Sequence, residues 1–107
     1  MSASGKYILD AAGKPQLVDD VALWAIWFEV SSNRVVAQTN VGEQQVSTVF
    51  LGLDHNFDGD GPPVLWESMI FKALDGDDRQ QRYSSRDDAV VGHEELVETA
   101  KRLLDDY

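Results

Sequence analysis

The segment richest in potential chemistry is Asp54-His-Asn-Phe-Asp-Gly-Asp-Gly61. Asp54, Asn56 and Asp58 offer side-chain oxygens at alternate positions and Gly59 permits a sharp turn, which is the first half of a calcium loop, D-x-N-x-D-G. The second half departs from that pattern. Leu65 stands at the twelfth position, where a bidentate Glu is needed, and Pro62-Pro63 interrupt the run. Asp54, Asn56 and Asp58 thus form a candidate cation site, weighed against a polar turn made of residues that bend the chain readily. His55 beside Asp54 would be a catalytic pair or half of a transition-metal site. Such a metal needs three or four ligands, and the only other histidine is His93. His93 lies on an apolar helical stripe, which predicts a hydrogen-bonded core histidine. His93-Glu-Glu falls short of H-E-x-x-H because Val97 stands where the second zinc ligand belongs. There is no G-x-S-x-G elbow, no phosphate loop ending in G-K-[ST] and no G-x-G-x-x-G, so neither a catalytic residue nor a cofactor is expected.

The remaining site chemistry is charge. Carboxylates gather at Asp19-Asp20, Asp54/Asp58/Asp60, Asp75/Asp77/Asp78, Asp87-Asp88 and Asp105-Asp106. Across 107 residues, 19 acidic side chains stand against 9 Lys+Arg, for a formal net charge of −10. That field repels phosphates and anionic lipid and attracts basic surfaces, so the expected partner is a basic protein, with no direct nucleic-acid binding. Duplex DNA carries one phosphate charge per about 1.7 Å, and rows of carboxylates can imitate it in the basic channel of a DNA-handling protein. The plainer alternative is a solvated acidic surface that favours solubility. Several aspartates have capping or turn-forming duties to explain them. Setting those aside leaves Asp54, Asp58 and Asp60, with Asp75, Asp77 and Asp78, as the candidate binding residues.

The elements that position these groups follow from pattern. Lys6–Leu9 is a short strand, and Asp10 to Gln16 reads as a turn broken by Gly13 and Pro15. Asp19-Asp20 supplies an N-cap for the apolar run Val21 to Phe28, a helix of about three turns that Ser31-Ser32-Asn33 ends. Residues 34–39 and 46–51 are strands joined by the turn Asn40-Val41-Gly42-Glu43. Residues 46–51 are apolar or small on both alternating faces, which predicts a central strand covered on both sides. A further strand spans 64–71, with Trp66 as core or interface anchor, and residues 79–84 add a short one. Ser85 with Asp88 makes a capping-box-like start to an amphipathic helix through Leu104, with Ala89, His93, Leu96, Ala100 and Leu103 on its apolar stripe. The opposite face carries Glu94, Glu95, Glu98, Lys101 and Asp105. The order β-α-β-β-β-(β)-α predicts an α+β fold, an antiparallel sheet of three to five strands with two helices.

The whole chain, 1–107, reads as one such domain, with 1–5 flexible. Cysteine is absent, which removes disulfide staples and thiolate chemistry. The first residues lack the apolar run of a signal peptide, and the longest apolar run falls well short of the roughly 20 residues that span a bilayer. A soluble protein of the cell interior is expected, with no membrane association.

The run Val46-Ser-Thr-Val-Phe-Leu-Gly-Leu-Asp-His55 followed by Gly61-Pro-Pro-Val-Leu-Trp-Glu-Ser-Met-Ile-Phe71 resembles a group of small acidic proteins encoded by bacteriophages and prophages. Trp24-x-x-Trp27-Phe-Glu29, Arg82-Tyr-Ser84, Ala89 and Gly92-His93 fit the same group, so the resemblance covers most of residues 6 to 95. No catalytic residues are assigned in that group and none carry over. The resemblance implies the cytoplasm of a bacterial host, where small acidic phage proteins include inhibitors of host defence, anti-CRISPR proteins among them. The expectation is a non-enzymatic, DNA-mimic-like inhibitor of a defence or nucleic-acid-handling protein. The alternatives are a metal-binding module or small metal-dependent enzyme using the Asp54–Asp60 loop, and a structural subunit that forms homo-oligomers.

Overall fold

The computed structural model describes residues 5–57 and 59–106; the expectation of a flexible start falls, apart from Gly5, outside them, as does Asp58. Strands β1 (Lys6–Leu9) and β2 (Pro15–Val18) form a hairpin and lead into helix α1 (Val21–Val30). Strands β3 (Val35–Val41), β4 (Gln44–Phe50), β5 (Trp66–Phe71) and β6 (Gln80–Tyr83) follow, and helix α2 (Arg86–Asp105) ends the described chain. The fold is α+β as expected. Its four-stranded antiparallel sheet runs β3-β4-β5-β6, and the β1-β2 hairpin is a separate two-stranded sheet. Strand β2 adds to the expected order, because Asp10 folds its neighbours back. Asp10 accepts from the Ala12 and Lys14 amides at 2.9 Å, so the turn is shorter than Gly13 and Pro15 suggest and Pro15 opens a strand.

Strand period decides which side chains meet α2. Val46, Thr48 and Phe50 on β4 sit opposite Ile70, Ser68 and Trp66 on β5, and all six are buried. Val46 and Ile70 join Val41, Ala73, Leu96, Val97 and Ala100 in one core cluster. Phe50 and Trp66 join Leu9, Leu65 and Ala89 in a second, against which Trp27 and Tyr83 pack. Trp66 is therefore core and not an interface anchor. The expected cover on both faces of β4 is not found. Helix α2 covers one face, while on the other only Ser47 is buried and Gln45, Val49, Glu67 and Met69 stay partly exposed. On that face Glu67 ties β5 to β6, accepting from Arg82 at 2.9 Å and from Gln80 at 2.7 Å.

Most polar side chains inside the core are paired, as burial requires, while the Trp66 indole N–H is buried without a partner among the described residues. His93 on α2 meets the Thr48 hydroxyl through Nδ1 at 2.7 Å and the Thr39 hydroxyl through Nε2 at 2.9 Å, and Thr48 also bonds Ser68. Gln44 donates to the Ala100 carbonyl at 2.8 Å and accepts from the Leu74 amide at 3.1 Å. His93 is thus the hydrogen-bonded core histidine that its place on the apolar stripe predicts. Close approach depends on Gly92, where a Cβ would run into the Tyr83 ring.

Candidate functional site

The Asp54–Asp60 loop is organised by its own side chains. Asp54 Oδ1 accepts from the Asn56 amide at 2.8 Å and the Val64 amide at 2.9 Å, closing the neck of the loop. The Asn56 side-chain amide donates to the Asp60 and Pro62 carbonyls. Both carbonyls thus already accept a hydrogen bond from within the loop. His55 donates from Nδ1 to the Leu53 carbonyl at 2.8 Å, and its ring lies 5.6 Å from that of Phe57. Among the described residues, no three His, Cys, Asp or Glu side chains gather as metal ligands.

The Asp75–Asp78 turn is built the same way. Asp75 accepts from the Asp77 amide at 3.0 Å and pairs with Arg79 at 2.6 Å. Hydrogen bonds from the Arg79 guanidinium and then the Asp77 amide hold its carboxyl below the usual carboxylate range. Asp78 accepts from the Ala73 amide at 3.0 Å. Asp54, Asp75 and Asp78 thus have structural duties that their spacing did not announce, whereas Asp60 and Asp77 lie exposed at the loop surfaces. Each of the two acidic loops is closed on itself by short-range bonds.

A hydroxyl–imidazole arrangement suggestive of nucleophilic catalysis does exist, at Ser68, Thr48 and His93. All three are buried beneath α2, so no substrate reaches them. Burial also holds the His93 imidazole below its ordinary range, with Glu94 opposing weakly. The arrangement satisfies a polar core and nothing more. A cleft of about 450 Å³ opens where the β1-β2 turn, the Ser32-Asn33 loop and the start of α2 meet, bordered by Leu9, Val36, Trp66 and Arg86. Its lining contains no carboxylate or imidazole.

Two surfaces stand out that the loops do not contain. The first is the outer face of α2. Ser85 caps the helix by accepting from the Asp88 amide at 3.1 Å, and Ala89, Gly92, His93, Leu96, Val97 and Ala100 are buried. The 3.6-residue period then turns Asp87, Glu94, Glu98 and Asp105 outward in one row, with Glu95 beside it. The row runs about 27 Å at 1.5 Å per residue. Two cations share this face: Lys101 is paired to Glu98 at 3.4 Å and Arg102 donates to Thr99 at 3.2 Å, while Asp87, Glu94 and Glu95 make no ion pair among the described residues.

The second is α1. Trp24 donates its indole N–H to the Gly52 carbonyl at 3.0 Å, and the Phe28 ring lies where a Cβ at Gly52 would have to go. Trp27 meets Phe50 edge to face at 5.9 Å, and the Arg34 guanidinium lies 4.2 Å over the Phe28 ring. These contacts use one side of the helix. Val21, Leu23, Ile26 and Val30 remain 57%, 51%, 61% and 74% exposed. Both surfaces were readable as patterns: the α2 acids occupy the helix's polar face, and Val21–Val30 holds one charged residue, Glu29, so it has no polar face at all.

No described helix is long and apolar enough to cross a membrane. Set against family models, curated proteins and solved structures, the chain finds no match.

Proposed function

We propose that the protein is a non-enzymatic binding protein of phage or prophage type, acting in the bacterial cytoplasm on a basic host protein of defence or nucleic-acid handling. The observation that carries this reading is the carboxylate row of α2, a rigid line of about 27 Å bearing Asp87, Glu94, Glu98 and Asp105. A helix with half its circumference buried holds these charges in fixed register, which a flexible acidic loop does not. Such a row offers a basic groove negative charge in fixed register, about one carboxylate per 9 Å against one phosphate per about 1.7 Å of duplex DNA. With a net charge of −10, the association is steered and weakens steeply with salt. Asp60 and Asp77 extend the acidic surface, while Asp75 contributes less because Arg79 offsets it.

The test is capture from bacterial lysate on the immobilised protein, in parallel with a Glu94→Lys, Glu98→Lys variant. A DNA-binding protein that the native chain retains at low salt, that duplex DNA displaces and that the variant fails to retain supports the reading. Retention unchanged by the charge reversal, or undisturbed by salt, sinks it.

A further inference from the structure

Helix α1 presents an apolar face with nothing seated on it, and its chemistry specifies what would fit. Isolated exposed apolar residues are ordinary, but Leu23, Ile26 and Val30 fall at i, i+3 and i+7 and so share one exposed face of α1, with Ala22 beside them; Val21 lies round the helix next to Phe28 and is not part of it. A helix that is apolar all round is normally covered all round. Here one side is anchored through Trp24, Trp27 and Phe28, and the other faces solvent.

The rim of this face is acidic at both ends. Asp19 and Asp20 precede the helix and Glu29 lies near its end, all exposed, with Asp20 already engaged as the cap of Leu23. No cation lies on α1, and Arg34 beyond it is committed to the Phe28 ring. Self-pairing brings like charges together in either direction. An antiparallel pair sets Glu29 against Asp19 and Asp20 of the second copy, and a parallel pair sets Glu29 against Glu29. A bilayer surface is disfavoured too, because interfacial helices carry Lys and Arg on the polar face and α1 has neither.

We infer that the outer face of α1 is a docking surface for a helical segment of another protein, one with an apolar i, i+3/i+4, i+7 stripe flanked by Lys or Arg. Asp20 and Glu29 are nine residues apart, about 14 Å along the axis at 1.5 Å per residue. The complementary cations are therefore spaced by two to three helical turns. The apolar stripe supplies the attraction, and the charges at the two ends set orientation and partner choice. This inference stands apart from the reading of α2, since it rests on α1 alone and uses none of the α2 carboxylates.

The experiment titrates the native protein with a synthetic amphipathic helical peptide, Leu on its stripe and Lys flanking it at the stated spacing, by calorimetry. A second peptide replaces Lys with Glu, and a protein variant combines Ile26→Ser with Val30→Ser, two exposed positions whose change leaves the core intact. Binding that falls at least about tenfold for the Glu peptide, and likewise for the variant, is the expected result. Equal binding by the variant shows mere charge attraction and overturns the inference, as does no binding of the Lys peptide. Sedimentation of the native protein as a dimer that the variant breaks assigns the face to a second copy instead. Binding of the native protein to neutral phospholipid vesicles, lost in the variant, assigns it to a bilayer. Because the α2 acids are unchanged throughout, loss of peptide binding here is separable from failure of the α2 reading.

Discussion

The two helices solve the same burial problem in opposite ways. Helix α2 is mixed in composition, yet it buries six residues beneath the sheet and satisfies a histidine there. Helix α1 is nearly all apolar, yet it buries none and rests on aromatic edges. Hydrophobic content therefore does not rank the helices by burial. What ranks them is the surface each one meets: α2 lies over four strands, while α1 meets mainly β1, a strand of four residues. A narrow neighbour cannot cover a helix on every side, and the surplus apolar surface of α1 stays exposed.

That comparison can be broken most directly at Phe50, which touches both regions through Trp27 and Trp66. Phe50→Ala should cost about 3–5 kcal/mol of stability in urea denaturation, the range for a fully buried phenylalanine. If the two regions form one cooperative unit, tryptophan fluorescence and far-ultraviolet circular dichroism will report the same midpoint. Separate midpoints would mean that the α1 side unfolds on its own.

On the α2 side, Gly92→Ala should destabilise by about 1–3 kcal/mol, since the added methyl meets the Tyr83 ring in a packed interior. A neutral result would show that the β6–α2 contact is looser than the close approach implies.

Acid sharpens the same contrast. His93 is held neutral by burial, so its folded-state pKa lies below the unfolded value of about 6.5. The unfolded chain then binds the extra proton first, and stability is full above that pH and declines as pH falls below it. Thermal melting points measured from pH 8 to pH 5 should fall on the acid side, and His93→Gln should flatten that slope. Asp75, with its lowered pKa, acts only in the more acidic carboxylate range. An unchanged slope in the His93 variant would remove the histidine from the account.

The smallest effect is expected where the sequence is most apolar. Ile26→Ser on α1 should change stability by no more than about 0.5 kcal/mol, as surface substitutions do. A loss of about 2 kcal/mol or more would mean that α1 is covered in solution, by a second copy or a bound partner.

Local signals carried far in this chain. Asp20 before an apolar run, and Ser85 before a mixed one, determine where both helices begin, because a cap needs only its own amide neighbours. Two-residue alternation on β4 and β5 determined their place in the sheet, and helical period placed His93 inside and the α2 acids outside. Which faces would be covered was not local. The sequence pattern admitted cover on both sides of β4 and offered the two acidic loops as the patches without a structural reason. Turn geometry decided otherwise for the loops, since the bonds of Asp54 to the Val64 amide and of Asp78 to the Ala73 amide lie within single loops whose exact bends residue spacing alone does not specify. The same holds for α1: its composition made an apolar helix certain, but only the shape of the surface beneath it could decide how much of that helix stays bare.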